Sequence, residues 1–234
     1  MTRSQRTLLT SAVIVAIAVV CWVEIASAHG VSRRDAAFVR SITGPAVAAF
    51  GYLGAKHMVT GYDHVLFLIG VIFFLHRLRD VVTYVSLFTI GHSITLLGGV
   101  LGDVRANAYL IDAVIGLSVV YKGFENIGGF QRLFGVRPNT QIAVLVFGLF
   151  HGFGLATKLQ ELALPTNGLM ANLLSFNVGV ELGQGIALTG VLLGLAYWRS
   201  SLGFARHAFA ANTFLMAGGF VLLGFQLVGY AVNR

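Results

Sequence analysis

The residues of this chain best suited to chemistry are histidines and carboxylates set among apolar neighbours. The densest stretch is His57-Met58-Val59-Thr60-Gly61-Tyr62-Asp63-His64. On a continuous helix His57 and His64 would share a face two turns apart. Asp63 adjoins His64, and Gly61 leaves the backbone free to bend between them. His92, Asp112, His151 and Glu181 then occur singly inside long apolar runs. Neutral imidazoles and carboxylates are ligands for divalent transition metals. Ionisable groups in hydrocarbon are costly and are functional candidates by default. The competing reading of His57 and His64 alone is a histidine pair wetting a helix end at the headgroups.

The surroundings are those of a membrane. Of 234 residues, 56% are hydrophobic and 11% charged, and mean hydropathy is +0.81. A soluble domain carries about 25% charged residues. The expected fold is therefore all-α, a polytopic bundle forming one domain. The formal charge of +7 sits mostly between apolar runs, where it sets topology. No aromatic-basic patch is present, which argues against nucleic acid.

Residues 1–28 read as a cleavable signal peptide. Arg3 and Arg6 precede an apolar core, and Ala26-Ser27-Ala28 offers the cleavage site. An extra first membrane helix is the alternative, but Glu24 ends the apolar run early for a span of roughly 20 residues. Cleavage would leave the domain as residues 29–234, with His29 at its N-terminus as a possible further ligand. Cys21 lies in this run and is the only cysteine, so a site in the mature chain would use nitrogen and oxygen ligands.

Residues 31–56 are half polar and broken by Gly44-Pro45, which suggests an interfacial or re-entrant helix. Six spans are expected after it, at about 61–75, 81–101, 106–124, 140–157, 169–198 and 208–232. With the mature N-terminus outside, Arg77, Arg79, Lys122, Arg132, Arg137, Arg199 and Arg206 fall inside and only Arg105, Lys158 and Arg234 outside. That obeys the positive-inside rule, although Arg33, Arg34, Arg40 and Lys56 cut against it.

This topology sets the polar residues in the outer half to middle of the bundle, with Asp63 and His64 at the outer end of the first span. His92 and His151 lie roughly 13 and 9 Å in, at 1.5 Å per residue. Asn177, Glu181 and Gln184 recur at i, i+4 and i+7 and should form one inward stripe. One outward-open cavity is the inference. Its expected metal ligands are His57, Asp63, His64, His92, His151 and Glu181, supported by Ser93, Asp112, Asn177 and Gln184. Each has a plainer reading: Asp112 as a partner for Arg105, Asn177 as a helix–helix hydrogen bond worth about 1 kcal/mol. His76 and His207 read as interfacial only. Without a thiol, the set suits nickel, cobalt, zinc or copper, and calcium or magnesium poorly. The sequence has no HExxH, phosphate loop or Gly-x-Ser-x-Gly.

Four ordered motifs also carry a resemblance. They are His57-x5-Asp63-His64, the run from Leu87 to Leu96 around His92, Phe147-Gly148-Leu149-Phe150-His151-Gly152-Phe153-Gly154, and the run from Phe176 to Gln184. Together they resemble the HupE/UreJ family of hydrogenase and urease accessory membrane proteins. The resemblance implies a permease for nickel or a similar divalent metal in the bacterial inner membrane, with the histidines as ligands. The implied partners are the lipid bilayer, the metal ion, and a metalloenzyme-maturation partner or a second copy of the chain. An intramembrane metal-dependent enzyme and a membrane metallochaperone or sensor remain as alternatives.

Overall fold

The computed structural model describes residues 33–161, 164 and 166–233. The expected signal peptide, Cys21 and His29 lie outside these residues. Among the described residues the secondary structure is helical throughout: α1 Arg33–Ser41, α2 Val47–Thr60, α3 Tyr62–Ile72, α4 Leu78–Leu101, α5 Ala108–Asn126, α6 Gly129–Phe134, α7 Thr140–Glu161, α8 Leu169–Arg199 and α9 Phe204–Val232. Four of them, α4, α7, α8 and α9, are long and apolar enough to cross a membrane. Helix α5 has 19 residues and carries Asp112, Lys122 and Glu125. Helix α3, with 11 residues, is too short to cross alone.

Three helix pairs make the body: α2 on α8, α4 on α7 and α5 on α9. Glycine permits each close approach, since association in lipid depends on packing rather than on expelling water. A Cβ on Gly54 would meet the Phe176 carbonyl, and one on Gly179 would meet that of Gly51. Gly148 and Gly152 lie in the same way against the Phe88 and His92 carbonyls. Gly116 and Gly219 bring α5 and α9 together. Helix α3 is wedged between the pairs and touches members of all three.

The structure departs from the sequence reading at α2. This helix does not lie apart from the spans. It runs parallel to the first half of α8, with Ala46 near Asn172, Gly51 near Gly179 and Ala55 near Gly183. Asn172 fastens its start, accepting from Ala46 N at 2.7 Å and donating to Gly44 O at 3.2 Å. The chain breaks at Gly61, whose backbone is extended (φ −72°, ψ 91°), and resumes as α3. At the far end Arg199, the last residue of α8, donates to the Ile72, Phe73 and Leu75 carbonyls. Helices α2 and α3 thus form one discontinuous helical segment beside α8. Arg33, Arg34, Arg40 and Lys56 had lent this region an interfacial look, but glycines give α2 a face that fits a neighbour.

Candidate metal centre

The break between α2 and α3 lies beside the middle of α8, and there it delivers His57, Asp63 and His64 into the bundle. Asp63 and His64 open α3, but because α2 precedes them along α8 they lie beside its middle and not beside its end. His92 comes from the middle of α4 and His151 from the middle of α7. Gly152 brings these two helices close enough for their histidines to share one space.

His64 is the hub of four imidazoles. Its ring centroid is 4.7 Å from that of His151, 5.0 Å from His57 and 6.0 Å from His92. His64, His92 and His151 are at most 2% exposed. Asp63 Oδ1 accepts from the backbone N–H of His64 at 2.9 Å and lies 2.9 Å from its Nδ1. His151 Nδ1 lies 2.7 Å from the Phe147 carbonyl oxygen. A carbonyl can only accept, so this nitrogen carries the proton and Nε2 keeps its lone pair. The Asp63–His64 contact holds His64 Nε2 in the same state. Anchoring one ring nitrogen on a carboxylate or carbonyl and presenting the other is how ligating histidines are held.

The presented nitrogens have no partner. Nε2 of His57, His64 and His151 and both nitrogens of His92 are buried without a hydrogen bond. A buried polar atom left unpaired costs about 1–3 kcal/mol, so several together on neighbouring rings call for a ligand. The rings are gathered without being closed on one point. Among the described residues no three His, Cys, Asp or Glu side chains stand in a preformed metal-holding arrangement. The donor set is nitrogen-rich with one carboxylate, which fits a borderline transition metal.

Aromatic rings floor the cluster on the side away from the start of α8. Phe88 stacks over His92 and meets His151 at 5.0 Å, and Phe67 meets His151 at 5.4 Å. Phe67 in turn packs on Phe147 at 5.7 Å.

The other sequence-derived residues divide. Ser93 and Asn177 hydrogen-bond across α4 and α8 at 2.8–3.0 Å, and Thr89 donates to Gln184 at 2.8 Å. They flank the histidines and join the two helices. Asp112 is buried and paired with Lys158 on α7, not with Arg105, which pairs with Asp103. Glu181 is not brought to the cluster. It is exposed on α8, whereas Gln184 is buried. At 100° per residue it lies about 60° round from Gln184, and the buried face centres on Phe176, Val180 and Gly183, on the other side of Gln184. The i, i+4, i+7 stripe is therefore wider than the interface. His76 and His207 are exposed. Sequence reasoning passed over Lys158 by counting it as a loop charge; its place one residue before a hydrophobic Leu159 and seven after His151 was the available signal.

The helices and the buried imidazoles define an α-helical membrane protein with a nitrogen-rich site inside its bundle. The chain belongs to the HupE / UreJ protein family, whose model matches residues 33–234. Neither a curated protein nor a solved structure matches it.

Proposed function

We propose that the protein is a permease for a divalent transition metal, nickel first among the candidates, with cobalt, zinc and copper behind it. One observation carries the reading: the α2–α3 crossing is broken where His57, Asp63 and His64 meet His92 and His151. Broken helices at mid-depth are how secondary transporters build substrate sites, because the break frees backbone and lets half-helices move. Rings gathered but not locked around a point suit a carrier, which must release what it binds. The basic residues Arg77, Arg79, Arg132 and Arg137 at one end of the bundle support placing that end in the cytoplasm of a bacterial inner membrane. The start of α8 and the cluster's open side then face the periplasm. His57, Asp63, His64, His92 and His151 are the ligands; Ser93, Asn177 and Gln184 hold α4 and α8 in register.

The aromatic floor of Phe67, Phe88 and Phe147 favours a second reading, a resident metal in a one-sided cavity, as in an enzyme or metallochaperone. Sealed proteoliposomes separate the two. The permease predicts Ni²⁺ accumulation against an internal fluorescent chelator, abolished in His64→Ala. Stoichiometric bound metal with no flux would refute transport and leave the second reading.

A further inference from the structure

The outer approach to the histidines is crossed by a charged pair on α5 and α7. Lys158 follows His151 by seven residues, two turns further along the same face of α7 and about 10 Å nearer the outer end. Its Nζ lies 2.8 Å from Oδ2 and 3.0 Å from Oδ1 of Asp112. The two side chains are only 21% and 10% exposed. Asp112 Oδ1 sits over Gly154, 3.6 Å from where a Cβ would stand, three residues from His151. The ammonium also acts electrostatically on Asp63, His57 and His151. Tyr62, the first residue of α3, feels both Asp63 and Asp112. The pair therefore stands between the outer end and the unpartnered imidazole nitrogens.

Resting on the permease reading, we propose that Lys158 is a tethered stand-in for the transported cation, which an incoming divalent ion displaces from Asp112, making Asp112 the outermost metal ligand. Two carboxylates beside a low-dielectric site are expensive without a cation. An ammonium on α7 supplies one that cannot leave. The incoming ion then exchanges with a charge already present instead of finding bare carboxylates. Once the ion has joined the histidines, the repulsion from Lys158 keeps its binding weak enough for release. Asp112 belongs here by its own geometry: its carboxylate is buried and reaches over the turn of α7 next to His151. A purely structural ion pair would give the same contact but would leave metal affinity unmoved when either charge alone is removed.

The test uses the full chain, titrated in detergent with Ni²⁺ and, in parallel, Co²⁺ and Zn²⁺, with thermal melts to certify folding. Lys158→Met should raise affinity at least about fivefold and slow vesicle uptake, because the competing charge is gone. Asp112→Asn should lower affinity at least about fivefold, because an uncompensated ammonium then faces the ion. The double variant should return to within about twofold of wild type at equilibrium while binding the ion about tenfold faster in stopped flow. If a single variant does not fold, the double variant decides alone by its association rate. Affinities and association rates all within twofold of wild type, with uptake still dependent on His64, would overturn the displacement of Lys158 and spare the permease. A wild-type protein that binds metal but moves none would remove the permease, and the displacement with it.

Discussion

His64 and His151 meet edge-on, ring centroids 4.7 Å apart, although they belong to α3 and α7, which lie far apart in the chain. Each ring is fixed through Nδ1, His64 on Asp63 and His151 on the Phe147 carbonyl, and each presents an unpartnered Nε2. Two lone pairs aimed into a shared apolar space repel one another unless a cation or a proton lies between them. The energetics of the pair therefore depend on an occupant.

The first expectation follows from that dependence. If His64 and His151 hold one ion, either change to Ala should lower Ni²⁺ affinity steeply, and the double change should cost little more than the worse single change, since groups acting as a unit are non-additive. His207→Ala, exposed near the start of α9, should leave affinity unaltered. Isothermal titration of the four proteins checks this. Additive losses, with a comparable loss from His207→Ala, would mean scattered histidines and no shared site.

The same ligands impose a pH dependence. Imidazole ligates only when neutral, and its ordinary pKa is about 6.5. Metal binding competes with protons, so affinity should be full on the alkaline side and fall at acid pH. With several imidazoles engaged, the fall should be steeper than one proton per ion. Titrations at stepped pH, carried down to the acid limit of the fold, would show the slope; affinity that never falls over that range would exclude histidine ligation.

Much of this site was legible from residue type alone. His57, His64, His92 and His151 stand out because few other side chains in their runs are ionisable, and hydrocarbon makes that conspicuous. The bend at Gly61 was legible too. What it joined was not: α2 carries Lys56 and follows the arginines of α1, so it reads as a surface helix, and only its glycine face against Gly179 and Gly183 shows that it packs along α8. Glu181 failed for a related reason. Helical periodicity groups residues within a sector, but the width of the buried sector is set by the partner helix, and α2 covers the side away from Glu181. Lys122 and Lys158 looked like topology charges at helix ends. The fold takes both inside the bundle: Lys122 pairs with Glu125 one turn on in the same helix, a spacing the sequence displays, whereas Lys158 pairs with Asp112 on another helix, of which the sequence gives no sign.

Packing around the site is open to test at Gly152. A side chain there would run into the His92 carbonyl and the Thr95 hydroxyl. The obstruction on the α4 side is backbone, so the helices must separate. Gly152→Val should lower thermal stability by roughly 1–3 kcal/mol, the usual range for overpacking. It should also weaken Ni²⁺ binding, since His92 and His151 move apart with their helices. Gly185→Val, where a Cβ meets nothing within 4 Å, is the matched control and should do neither. Equal effects at the two positions would deny that the α4–α7 approach positions the histidines.

The last expectation concerns Arg199, which lies at the opposite end of α3 from the cluster. The final carbonyls of a helix lack partners within it. At the end of α3 and in the turn after it, Arg199 adds donors: Nη1 donates to Leu75 O at 2.8 Å, and Nη2 to Phe73 O at 2.6 Å and to Ile72 O at 2.5 Å, which also accepts from Leu75 N. A cation at a helix C-terminus also opposes the negative end of its dipole. A single guanidinium thus ties the end of α8 to the half-helix that carries Asp63 and His64. Charge-assisted hydrogen bonds contribute about 1.5–3 kcal/mol each and are not additive here, so Arg199→Met should destabilise by roughly 2–4 kcal/mol in a detergent melt. Arg199→Lys should recover part of this, because an ammonium supplies the charge without the planar fork that reaches three carbonyls. Ni²⁺ affinity should fall in the order wild type, Lys, Met, as a loosened α3 spends less time with His64 beside His151. A melt that drops with affinity untouched would confine Arg199 to stability and separate the C-terminal anchor of α3 from its ligands.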